Sequence, residues 1–186
     1  SITWLARNSE KTSNIRHGLV LSCVGDAGGP TYKRSRDGDA AIDRAVARVF
    51  AEAAPSGTIL DFSPYGYDER QYGSPGFKLP VGLFERSKYG EFPEYHTSAD
   101  NLDFVSAAEL DRSYALVARV IDILETDWYP VNTAPHCEPQ LGRRGLYKAM
   151  GGDNERVERQ MAMLWVLNLA DGEHSLADIA TRSGID

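Results

Sequence analysis

YDERQYGSPGFKLPVGLFERSKYGEFPEYHTSADNLD, residues 67–103, is the stretch around which the rest of the chain arranges itself. Its most informative residue is His96, flanked by Tyr95 and Thr97 and followed by Asp100 and Asp103. A neutral imidazole nitrogen beside carboxylates able to orient it is the material of metal sites, which makes zinc the leading idea. The plainer reading is a histidine that caps the following helix or sits in a loop. Asp68, Glu69 and Arg70 lie in a segment, 63–76, dense in Pro, Gly and Tyr. Such a loop after a strand either builds a binding site or is a solvated charged turn.

Working upstream, Leu79 to Phe84 is a short apolar run, and Pro80 marks it as an edge strand or restricts its start. Thr58 to Phe62 reads as another strand. Before it, Asp37 to Ala54 is an amphipathic helix with Ile42, Val46, Val49 and Phe50 on one face, stopped by Pro55-Ser56-Gly57. Gly18 to Val24 is a continuous apolar run ended by glycines and Pro30, the pattern of a strand buried on both faces. Strand, helix and strand in that order predict a right-handed crossover and a mostly parallel sheet. Asp26 then falls just beyond a strand's carboxyl end, where open α/β sheets hold ligands. With Asp68 and His96 also following strands, three candidate groups can converge on one rim.

Downstream, Ser106 and Glu109 form a capping box for a helix with Leu110, Val117, Val120, Ile121 and Leu124 on one face. Residues 129–152, rich in proline, read as an extended linker. Val157 to Leu169 is a second amphipathic helix, Asp171-Gly172 turns the chain, and Ser175 with Asp178 caps a short helix ending near Gly184. Two helices joined so tightly suit a helix-turn-helix or winged-helix unit. The division expected is 1–128, 129–152 and 153–186.

Composition narrows the function classes. The chain has 186 residues, 42% hydrophobic and 25% charged, with a formal net charge of −7. These values suit a folded globular chain and speak against general phosphate binding. The longest apolar runs fall short of the ~20 residues that span a bilayer, and no signal peptide is apparent. Cys23 and Cys137 have no metal-ligand spacing and read as buried or incidental thiols, which favours a cytoplasmic address. GDAGG lacks the Lys-Ser/Thr of a phosphate loop, and no Gly-x-Ser-x-Gly occurs. His17, His136 and His174 have no partner at ligand spacing. The segment carrying the last two helices is net acidic, with only Arg182 basic in the second, so no nucleic acid is expected.

VGDAGG, YDERQYGSPGFKLPVG, FPEYHTSADNLDF, CEPQLGRRGLY and LNLADGEHSLADIATRSG together resemble a bacterial family. Its members join an aminopeptidase-like zinc domain of the co-catalytic exopeptidase type to a C-terminal winged helix and are often discussed with polysaccharide biosynthesis. The resemblance implies an α/β domain with a mixed, mostly parallel sheet sandwiched by helices, followed by a small helical winged-helix-like segment. It implies Asp26 as the terminal aspartate ligand of one zinc and His96 as the histidine ligand of another. Asp68, Glu69, Arg70 and Tyr72 would border the substrate pocket, and Asp100 and Asp103 would support the histidine. The family's bridging aspartate, further histidine and glutamate pair, including the general base, precede the stretch that looks like Ser1 to Leu5. With no initiator Met, the chain therefore reads as a C-terminal fragment.

The function implied is a zinc-dependent aminopeptidase or metallohydrolase acting on peptide or aminoacyl amides, holding two ions when complete. This chain alone is expected to bind zinc weakly and hydrolyse nothing. The alternative is a non-catalytic scaffold or regulatory module whose C-terminal helices contact a protein partner or a second copy. A third is an amide-forming or cyclising enzyme on the same fold.

Overall fold

Strand β4 (Val81–Glu85) is buried at every residue and sits inside a four-stranded sheet of order β1-β4-β2-β3. On one side it pairs in parallel with β1 (Gly18–Leu21), from Gly18 opposite Val81 to Leu21 opposite Phe84. On the other it pairs antiparallel with β2 (Thr31–Lys33), which runs parallel to β3 (Thr58–Leu60). These positions belong to a computed structural model that describes residues 1–146 and 154–185.

The sheet is therefore mixed and not mostly parallel. The strand that makes the difference is β2, whose three residues TYK follow Pro30 and carry no apolar run to announce them. The crossover helix is present, but it joins β2 to β3: α2 (Ala41–Ala53) connects that parallel pair. Pro80 does not place β4 at an edge. It lies one residue before the strand, where its missing N–H breaks no ladder bond, and its carbonyl accepts from Gly18 N at 3.0 Å. The edge strands are β1 and β3, and β1, expected to be buried on both faces, ends at Leu21, which is half exposed.

Side chains alternate across this sheet. On one face Tyr32 and Phe84 pack with Ile42, Val46, Val49 and Phe50 of α2 and Val120 of α4 (Ala107–Thr126). On the other, Val81 and Val20 meet Leu5 of α1 (Ile2–Arg7), Leu79 and Tyr72, the last residue of α3 (Glu69–Tyr72). Ser106 Oγ accepts from Glu109 N at 3.2 Å, but Ser106 N donates to Gly25 O and the Glu109 carboxylate pairs with Arg86 and Arg112, so only the N-cap half of the expected box forms. Leu110 and Ile121, expected on the inward face of α4, remain 43% and 52% exposed, so the core-facing stripe runs through Leu116, Val117, Val120, Ile123 and Leu124.

One buried carboxylate ties α2 to β2. Asp43 accepts from Tyr32 Oη at 2.7 Å, Ser35 N at 2.7 Å, Ser35 Oγ at 2.5 Å and Ala40 N at 2.8 Å. It thereby satisfies the exposed start of the helix and the polar end of the strand together. Burial and the neighbouring Asp43 charge push the Tyr32 hydroxyl well above its ordinary range.

The chain divides into two compact units, Ser1–Leu124 and Glu125–Asp186. In the second, α5 (Asn154–Leu169) and α6 (Leu176–Ser183) are joined by a tight turn, and Val131 bridges Asp171 in antiparallel fashion. Ser175 and Asp178 cap α6 reciprocally, at 3.2 and 3.1 Å, and Gly184 ends it in the left-handed conformation. A short 3-10 turn at Gly142–Arg144 interrupts the stretch read as an extended linker. Residues 147–152 of that stretch lie outside those described. No helix among the described residues is long and apolar enough to cross a membrane.

Replacing Asp43 by Ala strands several buried donors at once. It should lower unfolding free energy by at least about 3 kcal/mol, read from urea denaturation; a loss below about 1 kcal/mol would sink this account of the fold.

Candidate functional site

Beyond the carboxyl end of β1 the chain turns sharply through Ser22, Cys23 and Val24, and these residues form one wall of a cleft of about 430 Å³. Asp26, Tyr67, Tyr95, His96, Asp100 and Leu110 contribute to its remaining walls. Cys23 has φ +49° and His96 φ +57°. Both are left-handed conformations that side chains other than glycine rarely adopt and that recur at functional sites.

Asp26 is only 2% exposed, and its carboxylate is aimed by its neighbours. Oδ1 accepts from Gly28 N at 2.7 Å and Ser87 Oγ at 2.5 Å, while Oδ2 accepts a single longer bond, 3.3 Å, from Ser87 N. Oδ1 is thus saturated, and Oδ2 keeps a lone pair uncommitted. Gly28 is required by space: a Cβ there would lie 2.4 Å from Ser87 Oγ and 2.7 Å from Asp26 Oδ1.

His96 is exposed and stacks on Tyr95 with centroids 4.0 Å apart. Phe92 continues the ladder, 5.5 Å from Tyr95 and 5.5 Å from Phe104. From the other side, Tyr67 Oη donates to Tyr95 Oη at 3.1 Å and lies 3.5 Å from Cys23 Sγ. Burial, with the Cys23 thiol beside it, pushes the Tyr67 hydroxyl far above its ordinary range, so it stays a neutral donor.

The structure brings Asp26, His96 and Asp100 to one cleft and leaves the other expected residues elsewhere. Asp68 is exposed at the start of α3 and accepts from Ser1 Oγ at 2.9 Å. Arg70 is exposed, and Asp103 is exposed with its backbone N–H on Asn101. Tyr72 packs into the lower apolar cluster. Glu69 is fully buried against Lys33, Oε1 to Nζ 2.5 Å. Sequence reasoning did not single out Tyr67, Tyr95, Ser87 or Lys33. The one signal for the tyrosines was their density in residues 63–95; nothing marked Ser87 or Lys33.

An aspartate with one oxygen held by two donors, lining the same cleft as an imidazole, fits a metal in the kind of donors it offers. It does not complete one: no three His, Cys, Asp or Glu among the described residues are grouped to hold a metal, whereas a closed zinc site takes four donors.

This architecture is that of an α/β domain built on a small mixed sheet. It matches the solved aminopeptidase from Aneurinibacillus sp. strain AM-1 with a TM-score of 0.52 at 19% identity, over 65% of this chain and 29% of that one, a likeness of fold alone. Residues 1–127 match the family model described as "Domain of unknown function (DUF4910)", and the chain belongs to that family; residues 128–186 match a winged helix-turn-helix model. A Clostridium acetobutylicum protein, named for polysaccharide biosynthesis and an aminopeptidase-like domain, is 49% identical over all 186 residues. A crystal structure from the same organism, named as that of a peptidase, has a TM-score of 0.80 and 47% identity, over 99% of this chain and 40% of that one. The chain spans 43% of the curated relative's length.

Gly28→Ala forces its new methyl into the Ser87–Asp26 clamp. It should cost about 1–3 kcal/mol in urea denaturation, and unchanged stability would mean the clamp is looser than described.

Proposed function

We propose that this chain supplies one side of the active cleft of a metal-dependent aminopeptidase-type hydrolase acting on peptide or aminoacyl amides. The observation that carries the reading is the pairing of a buried, hydrogen-bonded Asp26 with His96 on one cleft. Asp26 Oδ2 and a nitrogen of His96 would hold zinc together with donors from outside this chain. Bound zinc supplies Lewis-acid polarisation of a carbonyl and a water that ionises near neutrality.

What this chain's own residues do is bind, orient and shield. Ser87 and Gly28 fix the Asp26 carboxylate so that it enters the site without reorganising. The Tyr95 ring fixes the His96 plane. The Tyr67 and Tyr95 hydroxyls give the cleft a neutral hydrogen-bonding wall, suited to an amide rather than an ion. Phe92, Phe104 and Leu110 give it an apolar lining beside that wall. The name of the C. acetobutylicum relative adds polysaccharide biosynthesis as the setting, which suits an amide on an aminoacylated or amino-sugar substrate.

A second reading, a non-catalytic module on an exopeptidase scaffold, draws support from the winged helix-turn-helix unit over residues 128–186, which hydrolysis of an amide does not need. Metal content separates the two. In the longer protein, elemental analysis should find zinc, and Asp26→Ala or His96→Ala should each remove part of it with a matching fall in hydrolysis of aminoacyl amides. A zinc-free longer protein, or full zinc retention in both variants, would overturn the hydrolase reading.

A further inference from the structure

Behind the cleft wall lies a cluster of ionisable groups that the proposed chemistry does not use. Lys33 projects from β2 on the same sheet face as Leu83 and Glu85, since Lys33 is registered opposite Leu83. Its side chain is 3% exposed, and its ammonium pairs with Glu69 Oε1 at 2.5 Å and donates to Tyr65 O at 2.6 Å and Ser63 O at 3.3 Å. Only the two carbonyls take hydrogen bonds from it, the Glu69 contact being an ion pair, and the two loop carbonyls thus commit two of its three protons. Glu85 is also fully buried; its Oε2 accepts from Tyr89 N at 3.4 Å, and its Oε1 has no hydrogen-bond partner. Two buried carboxylates thus face one buried cation, and both ionised would leave an uncompensated charge where charge is costly.

The cluster is joined to the cleft by the loop between β3 and α3. Lys33 grips that loop at Ser63 and Tyr65, and Tyr89 Oη donates to Tyr65 O at 2.8 Å. At Gly66 the loop passes so close over the ion pair that a Cβ would lie 2.2 Å from Glu69 Oε1. The next residue is Tyr67, whose ring meets that of Tyr89 edge-on at 5.4 Å and whose hydroxyl reaches Tyr95 and Cys23. Groups facing Glu85 are Lys33 from β2, Glu69 from α3, and Lys88 and Tyr89 beyond β4.

We propose that Lys33, Glu69 and Glu85 are positioning residues for Tyr67, with one proton on Glu85 as a part of the support, so that loss of this proton loosens the cleft wall. With Glu85 neutral, Lys33 neutralises Glu69 and two of its protons hold the loop carbonyls. Ionised Glu85 competes with Glu69 and the loop carbonyls for the same single ammonium. The longest bond, to Ser63 O, is the first to be given up, and Tyr67 moves away from Tyr95. The sign follows from burial, the largest influence on Glu85, which raises its carboxyl from 4.5 to about 7. Its stabilising contribution is complete below about 4.5 and is lost as pH rises through about 7.

The test is carbon NMR of the intact chain labelled in glutamate carboxyls and tyrosine ζ-carbons, titrated from pH 5.5 to 9. The Glu85 carboxyl, assigned by its loss in Glu85→Gln, should titrate near 7. The Tyr67 signal should follow it, falling from about nine-tenths in its low-pH position at pH 6 to about one-tenth at pH 8. Glu85→Gln should hold Tyr67 in the low-pH position throughout. A Tyr67 signal that is flat in the parent, or one that still titrates in Glu85→Gln, overturns the proposal. Should Glu85→Gln fail to fold, Lys33→Met takes its place: without the ammonium the Tyr67 signal should not titrate, and persistent titration there overturns the proposal equally.

Discussion

The carboxyl end of β4 is the constraint on which the rest of the first unit depends. Three consecutive residues leave the strand in three directions, and each ends on a different element. Glu85 turns toward Lys33 and Glu69 and so toward the loop before α3. Arg86 donates its backbone N–H to Cys23 O and places its guanidinium 2.6 Å from Glu109 at the start of α4, where an acidic side chain also complements the helix dipole. Ser87 closes on Asp26. A strand buried along its whole length and paired on both edges has no freedom to slip, because a shift of one residue would exchange its two faces. The cleft inherits its geometry from that fixity.

Parts of this were legible in the sequence because they depend on local chemistry. The Ser175–Asp178 box and the Ser106 N-cap follow from residue type and spacing alone, as does the inward face of α2. The mixed sheet was not legible, since three residues, Thr31, Tyr32 and Lys33, carry no periodicity and a lysine argues for solvent. Lys33 is buried only because Glu69, 36 positions on, is buried with it. Pro80 illustrates the opposite failure. Its restriction was read correctly, but a proline just ahead of a strand says nothing about whether that strand is central.

The candidate site divided along the same line. Asp26 and His96 stood out by residue type and position after a strand, whereas the Tyr67–Tyr95 hydrogen bond joins residues 28 apart through no shared motif. Asp68, Glu69 and Arg70 formed a charged triplet that reads as one feature, yet α3 begins within it and turns the three apart. Asp68 and Arg70 face solvent, and Glu69 enters the interior. A single helical turn was enough to give neighbouring charges unrelated surroundings.

The second unit shows local electrostatics used to hold a turn rather than to meet a ligand. Asp171 accepts from the N–H groups of Glu173 and His174, which hold its carboxyl down at about 2, and Oδ2 also meets His174 Nδ1 at 2.8 Å. The opposite ring nitrogen lies 2.7 Å from Arg182. Arg182 is the one basic residue of α6, and it is engaged within the unit. The cation of α6 thus closes the turn that precedes the helix, as the Ser175–Asp178 cap opens the helix itself.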